Sequence, residues 1–263
     1  SKMDLKLTDF QLAHYKTFGF IQLKSVLNDD ELKTINSEFE SGLQAARENS
    51  PEIEDSAQLQ WSTLKPEFPV TAGLIEDPRI CGVAEQLIGK DAIPVFSNGN
   101  RWVANTSWHP DSPNIELRCV KIACYLQSVR SDSGALRFIP GSHKTELNQE
   151  ITTLLNESNP DLNDVPSHVC NSEPGDIIAF DNRLYHAAIG TSKDKRQLTM
   201  NFMQTPKTNN ARLESKNLAN QIVEVYNMTK APTPFYAPEW AANPSGNERR
   251  QRSVDWLKSM NLV

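Results

Sequence analysis

The chain contains five histidines, and one of them sits in a pattern that can do chemistry. In Trp108-His109-Pro110-Asp111 an imidazole and a carboxylate stand two residues apart. In extended backbone such residues project to the same side, so the two groups converge on one point. Far downstream the turn Pro174-Gly175-Asp176 feeds the apolar stretch Ile177–Phe180, a strand that delivers His186 near its far end. Two histidines and a carboxylate, two close in sequence and the third remote, make the facial triad of non-haem Fe(II). It leaves one face of the ion open for co-substrate and O2. Each piece also has a plainer reading. Pro110, Ser112 and Pro113 are turn residues, and His186 alone reads equally well as a hydrogen-bonded core imidazole. Arg196 follows His186 at the head of Gln197–Phe202. A guanidinium turned inward there needs an anion, and a carboxylate gripped at both oxygens supplies it. Its plainer reading is a solvated loop residue beside Lys193-Asp194-Lys195, which read as facing water.

The elements that would position these groups fall into two halves. Thr8-Asp9-Phe10-Gln11 is a capping box opening a helix with Phe10, His14 and Phe18 near one face, and Gly19 ends it. Phe20–Leu23 reads as a short strand. Asn28, with Glu31 three residues on, starts a second helix whose stripe is Leu32, Ile35, Phe39 and Leu43. Residues 48–66 read as a loop and Pro78–Ile88 as a helix closed by Gly89. From residue 92 the pattern is short strands: Ala92–Phe96, Arg101–Ser107, Ile115–Gln127, Leu136–Ile139, Ser167–Cys170, Ile177–Phe180 and Gln197–Gln204, with a polar insertion over 144–165. Short strands without intervening helices argue for an antiparallel sandwich or barrel. The expectation is one domain over 1–263: a helical part over about 7–90, a β core over about 92–205, and a segment 207–263. Within that segment, 207–250 is either a lid over a pocket or a packed tail.

Composition narrows the function classes. The net charge of −6 disfavours nucleic acid as a partner, and no apolar run approaches the ~20 residues that span a bilayer. The N-terminal stretch shows no export pattern, and the four cysteines, Cys81, Cys119, Cys124 and Cys170, include no C-x-x-C pair. A reduced, cytoplasmic protein acting on a small molecule is expected, and nothing in the sequence sets its oligomeric state.

Several stretches, in the right order, resemble the phytanoyl-CoA dioxygenase family of Fe(II)- and 2-oxoglutarate-dependent oxygenases. They are Leu7–Gln11 through Gly19-Phe20-Ile21 to Leu27–Leu32, then Trp108–Asp111, then Gly134-Ala135-Leu136-Arg137-Phe138-Ile139-Pro140-Gly141-Ser142-His143, then Gly175-Asp176 through His186, and Arg196. The resemblance spans residues 7 to 205 and implies a mainly β fold with flanking helices, the double-stranded β-helix or jelly-roll. It implies His109, Asp111 and His186 as iron ligands and Arg196 as the grip on the distal carboxylate of 2-oxoglutarate. Asn98, Asn100, Lys121 and Tyr125 are further candidates for contacting that co-substrate. Asp111 favours hydroxylation, since halogenating relatives lack this carboxylate. Ala187 and Ala188 stand where the family often carries a small hydroxylated residue. His143 is read as structural. The implied reaction hydroxylates a C–H bond of a small soluble metabolite, consuming O2 and releasing succinate and CO2. Arg101, Trp102, Arg137 and Arg183 are candidate substrate contacts, and a basic lining would suit an anionic substrate. The alternatives are a non-enzymatic jelly-roll that binds a metabolite or metal and, more weakly, a zinc hydrolase in which Arg196 has no role.

Overall fold

Both N-terminal helices begin where their capping residues dictate. Thr8 Oγ1 accepts the Gln11 amide while the Gln11 side chain accepts the Thr8 amide, and α1 runs Asp9–Phe18. Gly19 ends it at φ +88°, and a Cβ there would lie 2.6 Å from the ring of His143. The expected apolar face of α1 is turned to water instead. Phe10 is 89% exposed and Tyr15 is the buried side chain, while the exposed His14 and Phe18 rings pack at a tilt, 4.8 Å apart. The strand β1 (Phe20–Leu23) leads to α2 (Asp29–Asn49), which starts with the Asn28/Glu31 capping box and buries Leu32, Ile35, Phe39 and Leu43.

A computed structural model describes residues 3–51, 58–101, 104–190, 192, 195–228, 231 and 234–263. The segment expected as loop contains β2 (Leu59–Ser62), buried at every position. Its polar composition hides a two-residue period. Leu59 and Trp61 face the core, and Trp61 fits against two glycines, Gly42 and Gly99, where a Cβ would collide with its ring. Short α3 (Pro69–Gly73) and α4 (Cys81–Ile88) follow. Then come β3 (Ile93–Arg101), β4 (Thr106–His109), β5 (Cys119–Tyr125) and β6 (Leu136–Phe138). The 144–165 insertion is largely a helix, α5 (Thr145–Ser158), with β7 (His168–Val169) after it.

The run expected as one strand ending at His186 is two. The strand β8 (Ile177–Asp181) stops at a turn in which the Asp181 carboxylate accepts the Arg183 amide, and β9 (His186–Ala188) starts in the other sheet. The last strand, β10 (Arg196–Met203), precedes three helices, α6 (Asn209–Met228), α7 (Pro238–Ala242) and α8 (Glu248–Ser259). The C-terminal segment is therefore helical, and its Phe235, Tyr236 and Trp240 are buried in the main core.

Among the described residues, ten antiparallel strands make two sheets, ordered β1-β8-β5-β10-β3-β2 and β4-β9-β6-β7. Phe20, Tyr125, Ile178 and Phe180 of the larger sheet pack with Leu136 and Phe138 of the smaller in one cluster. The fold is a jelly-roll flanked by helices, as expected. All four cysteines are free and buried. No helix among the described residues is long and apolar enough to cross a membrane.

Candidate metal centre

The β8–β9 crossover builds the centre. His109, last residue of β4, pairs in register with His186, first residue of β9, and their rings lie 4.4 Å apart. The Asp111 and Ser112 amides both donate to the Asn182 carbonyl, at 2.8 and 3.1 Å, which folds the loop after β4 back over the same turn. Asp111 Oδ1 thereby lies 3.4 Å from His186 Nε2 and 3.7 Å from His109 Nε2. One ligand atom from each residue falls within 4.8 Å of the others.

Hydrogen bonding fixes which nitrogen each ring presents. His109 Nδ1 lies 2.6 Å from the Ser107 carbonyl and His186 Nδ1 lies 2.9 Å from the Leu184 carbonyl. A carbonyl only accepts, so each Nδ1 carries the proton and each Nε2 lone pair faces Asp111. This is the backing that metal-binding histidines require. Burial pushes the His109 pKa below its ordinary value, helped by the neighbouring His186, so the ring is neutral near pH 7. Burial alone would raise the Asp111 carboxyl. Lys121, 2.5 Å from Oδ2, and the two imidazoles override it and hold the group well below the usual carboxylate range. The result is an anionic oxygen and two Nε2 atoms on one side of an open space.

That space is a cavity of about 360 Å³ between the sheets. Asn98, Asn100, Lys121 and Tyr125 all line it, with Lys121 engaged by Asp111. The basic residues expected beside them do not. Arg196 faces the other side of β10. Its guanidinium pairs with Glu40 and lies over the Phe39 ring. Strand period explains this, because Arg196 shares the parity of Leu198, Met200 and Phe202, which point into the core. Arg137 bonds Asn163 and the Ser131 carbonyl, Arg183 pairs with Asp181 at 3.3 Å, and Arg101 is buried outside the lining. Trp102 lies outside the described residues, as do Lys193 and Asp194. Lys195, read as solvated, is 3% exposed and lines the cavity. Ala188 also faces it, and Ala187 does not. His143 has the structural role expected, with Nε2 3.1 Å from the Lys16 carbonyl.

Sequence reasoning missed most of the polar wall. Gln197, Thr199 and Asn201 alternate along β10 with apolar neighbours, and that alternation was the signal available. Gln60 of β2 and Gln58 just before it complete the wall. Opposite, α6 supplies Leu218, Ile222 and Tyr226, and its Gln221 donates to the Asp111 carbonyl at 3.2 Å. Within 207–250, α6 lines the pocket with Leu218, Gln221, Ile222 and Tyr226, whereas Phe235, Tyr236 and Trp240 are packed in the main core.

The family model described as phytanoyl-CoA dioxygenase (PhyH) matches residues 15–198, well over half of the chain. The chain belongs to the phytanoyl-CoA dioxygenase family. All three residues of the candidate centre lie within that match, whereas α6 to α8 lie beyond it. Ectoine dioxygenase of Streptomyces avermitilis is 26% identical over 157 residues, 54% of this chain and 53% of that protein. The Bordetella bronchiseptica enzyme of the same name is 22% identical over 150 residues, 51% and 49% of the two. The chain spans about half the length of the curated relatives it matches. HygX from Streptomyces hygroscopicus, solved with nickel and 2-oxoglutarate bound, has a TM-score of 0.62 at 20% identity, covering 76% of this chain and 88% of that one. EctD from S. alaskensis, with 2-oxoglutarate and 5-hydroxyectoine, has a TM-score of 0.59 at 19% identity, covering 77% and 79%. The phytanoyl-CoA dioxygenase member described here and these proteins share the jelly-roll fold.

Proposed function

We propose that the chain is a non-haem Fe(II)- and 2-oxoglutarate-dependent dioxygenase that hydroxylates a C–H bond of a small molecule. One observation carries the reading: two Nε2 lone pairs and one carboxylate oxygen converge at the edge of a cavity, with both Nδ1 protons held by carbonyls. That donor set suits Fe(II). Iron bound there would supply the redox chemistry that couples O2 to oxidative decarboxylation of 2-oxoglutarate and hydroxylation of the substrate. One oxygen atom enters the substrate C–H bond as hydroxyl, and the other enters the new carboxylate of succinate as CO2 leaves.

The remaining work belongs to the chain's own residues. His109, Asp111 and His186 would hold the ion from one side. Lys121 holds Asp111 Oδ2 and leaves Oδ1 to the centre. The apolar side chains of α6, with Phe96 and Phe180, limit water in the cavity. The wall opposite α6 is made of primary amides and hydroxyls. Gln58 donates to Asn100 at 3.0 Å, while Gln60 Nε2 and Asn201 Nδ2 are buried without a partner. Such a wall favours an uncharged molecule rich in hydrogen-bonding groups, in place of the anionic substrate that a basic lining would have suited.

The test is O2-dependent conversion of 2-oxoglutarate to succinate by the Fe(II)-loaded protein, with candidate metabolites screened for stimulation. Stimulated turnover that disappears in His186→Ala supports the proposal. Metabolite binding without any O2 consumption would favour a non-enzymatic binding protein.

A further inference from the structure

The Arg196 guanidinium is turned away from the cavity and neutralised by Glu40, so the position assigned to the distal carboxylate of a dicarboxylic acid lacks its expected cation. The cavity has another. Lys195 is 3% exposed, and its ammonium has no acidic or hydrogen-bonding partner among the described residues. Among the described residues the other lysine in the lining, Lys121, is occupied by Asp111. A buried, unpaired ammonium is costly unless a ligand completes it. Burial pushes its pKa down to about 8, which leaves it charged at neutral pH and in need of an anion.

Its surroundings make a place for one. The Lys195 side chain passes over Gly134, whose missing Cβ would lie 2.8 Å from Cδ and 3.0 Å from Nζ. From the triad outwards, β9 presents the small side chain of Ala188 two residues after His186, paired in register with Leu136. From the facing sheet, Gln197 and Tyr125 are cross-strand partners, and Gln197 Nε2 donates to the Tyr125 hydroxyl at 3.2 Å. That leaves the Tyr125 O–H free to donate, and burial holds its pKa well above the usual range, so it keeps its proton. Lys195 and Tyr125 thus line the same cavity, with Lys195 two residues before Gln197, the cross-strand partner of Tyr125.

We infer that Lys195, assisted by Tyr125, replaces Arg196 as the group that holds the distal carboxylate of 2-oxoglutarate. This rests on the proposed Fe(II)/2-oxoglutarate chemistry, and the measurement separates the two. The protein is loaded with Ni(II), which does not turn over, and titrated by calorimetry with 2-oxoglutarate and with 2-oxopentanoate, which carries a methyl group in place of that carboxylate. The unmodified protein should prefer 2-oxoglutarate by about 100-fold, the scale of a charge-assisted contact in a dry site. Lys195→Met should reduce the preference to a few-fold, Lys195→Arg should keep most of it, and Arg196→Gln should leave it intact. Equal binding of both acids by the unmodified protein, or a preference that survives Lys195→Met and falls in Arg196→Gln, overturns the assignment. Failure of the Ni(II)-loaded protein to bind either keto acid overturns the dioxygenase reading itself.

Discussion

Replacing Lys195 by methionine is expected to stabilise the ligand-free protein. The ordinary lysine pKa of 10.5 falls to about 8 at this site through burial alone, which corresponds to about 3 kcal/mol against the charged form. With the residue 3% exposed, little solvent screening reduces that figure. The folded chain releases the proton near pH 8, whereas the unfolded chain keeps it to 10.5. Between these values the unfolded state binds more protons and stability rises with pH. Methionine keeps a similar unbranched stem and removes the charge. The variant should therefore be about 3 kcal/mol more stable at pH 7, roughly 6–12 °C in Tm for a chain of this size. By pH 9.5 the difference should shrink to about 1.4 kcal/mol, the value left when one pH unit separates the solution from the unfolded-state pKa. Urea denaturation of both proteins at the two pH values measures it, and the difference cancels the other groups titrating in that range. A methionine variant no more stable at pH 7, or a gap that does not change with pH, would refute the claim that this ammonium is buried without a partner among the described residues.

Other substitutions test the neighbouring parts. His109→Ala or His186→Ala should abolish the weak visible charge-transfer band of the anaerobic Fe(II)/2-oxoglutarate complex, read by absorption spectroscopy. Asp111 stays ionised across the working range and burial lowers the His109 pKa, so Fe(II) affinity should fall only at acid pH, below the ordinary imidazole value, as His109 takes up a proton; metal titrations from pH 5 to 8 measure this. Arg196→Gln should cost no more than about 1 kcal/mol in denaturant unfolding, since its pair with Glu40 is partly exposed. Gly134→Ala places a Cβ against the Lys195 side chain at φ +91°. It should weaken 2-oxoglutarate binding as Lys195→Met does but lower stability by about 1–2 kcal/mol, the opposite sign.

Local rules made the helix starts legible, because a capping box is complete within four residues and both of them form. The three residues of the candidate centre were legible as types and spacing, although the route to His186 was not. Nothing in Ile177–His186 announces that the chain leaves one sheet at Asp181 and enters the other, since the Asp181 turn is set by a side-chain bond to a backbone amide. Arg196 and Lys195 were exchanged for a related reason. Lys193-Asp194-Lys195 read as solvated beside an inward Arg196, and only the strand period beyond them tells that Lys195 lines the cavity and Arg196 does not. The helices over 145–158 and 209–228 were hidden by polarity. The first buries none of its residues, and the second spends part of its apolar face on the cavity.

The arrangement separates two tasks that the sequence places in different segments. The donor set comes from β4, the loop after it and the start of β9, all within the family match. It depends on backbone carbonyls at Ser107, Leu184 and Asn182, which side-chain substitution does not remove. Much of the wall that a substrate would touch comes from Thr199, Asn201 and α6, beyond the end of that match. Only one described hydrogen bond, Gln221 to the Asp111 carbonyl, ties α6 directly to the donor set. Changes on the cavity side of α6 can therefore alter which molecule fits while the two Nε2 atoms and Oδ1 keep their geometry. The donor set and the wall that faces a bound molecule can thus vary independently.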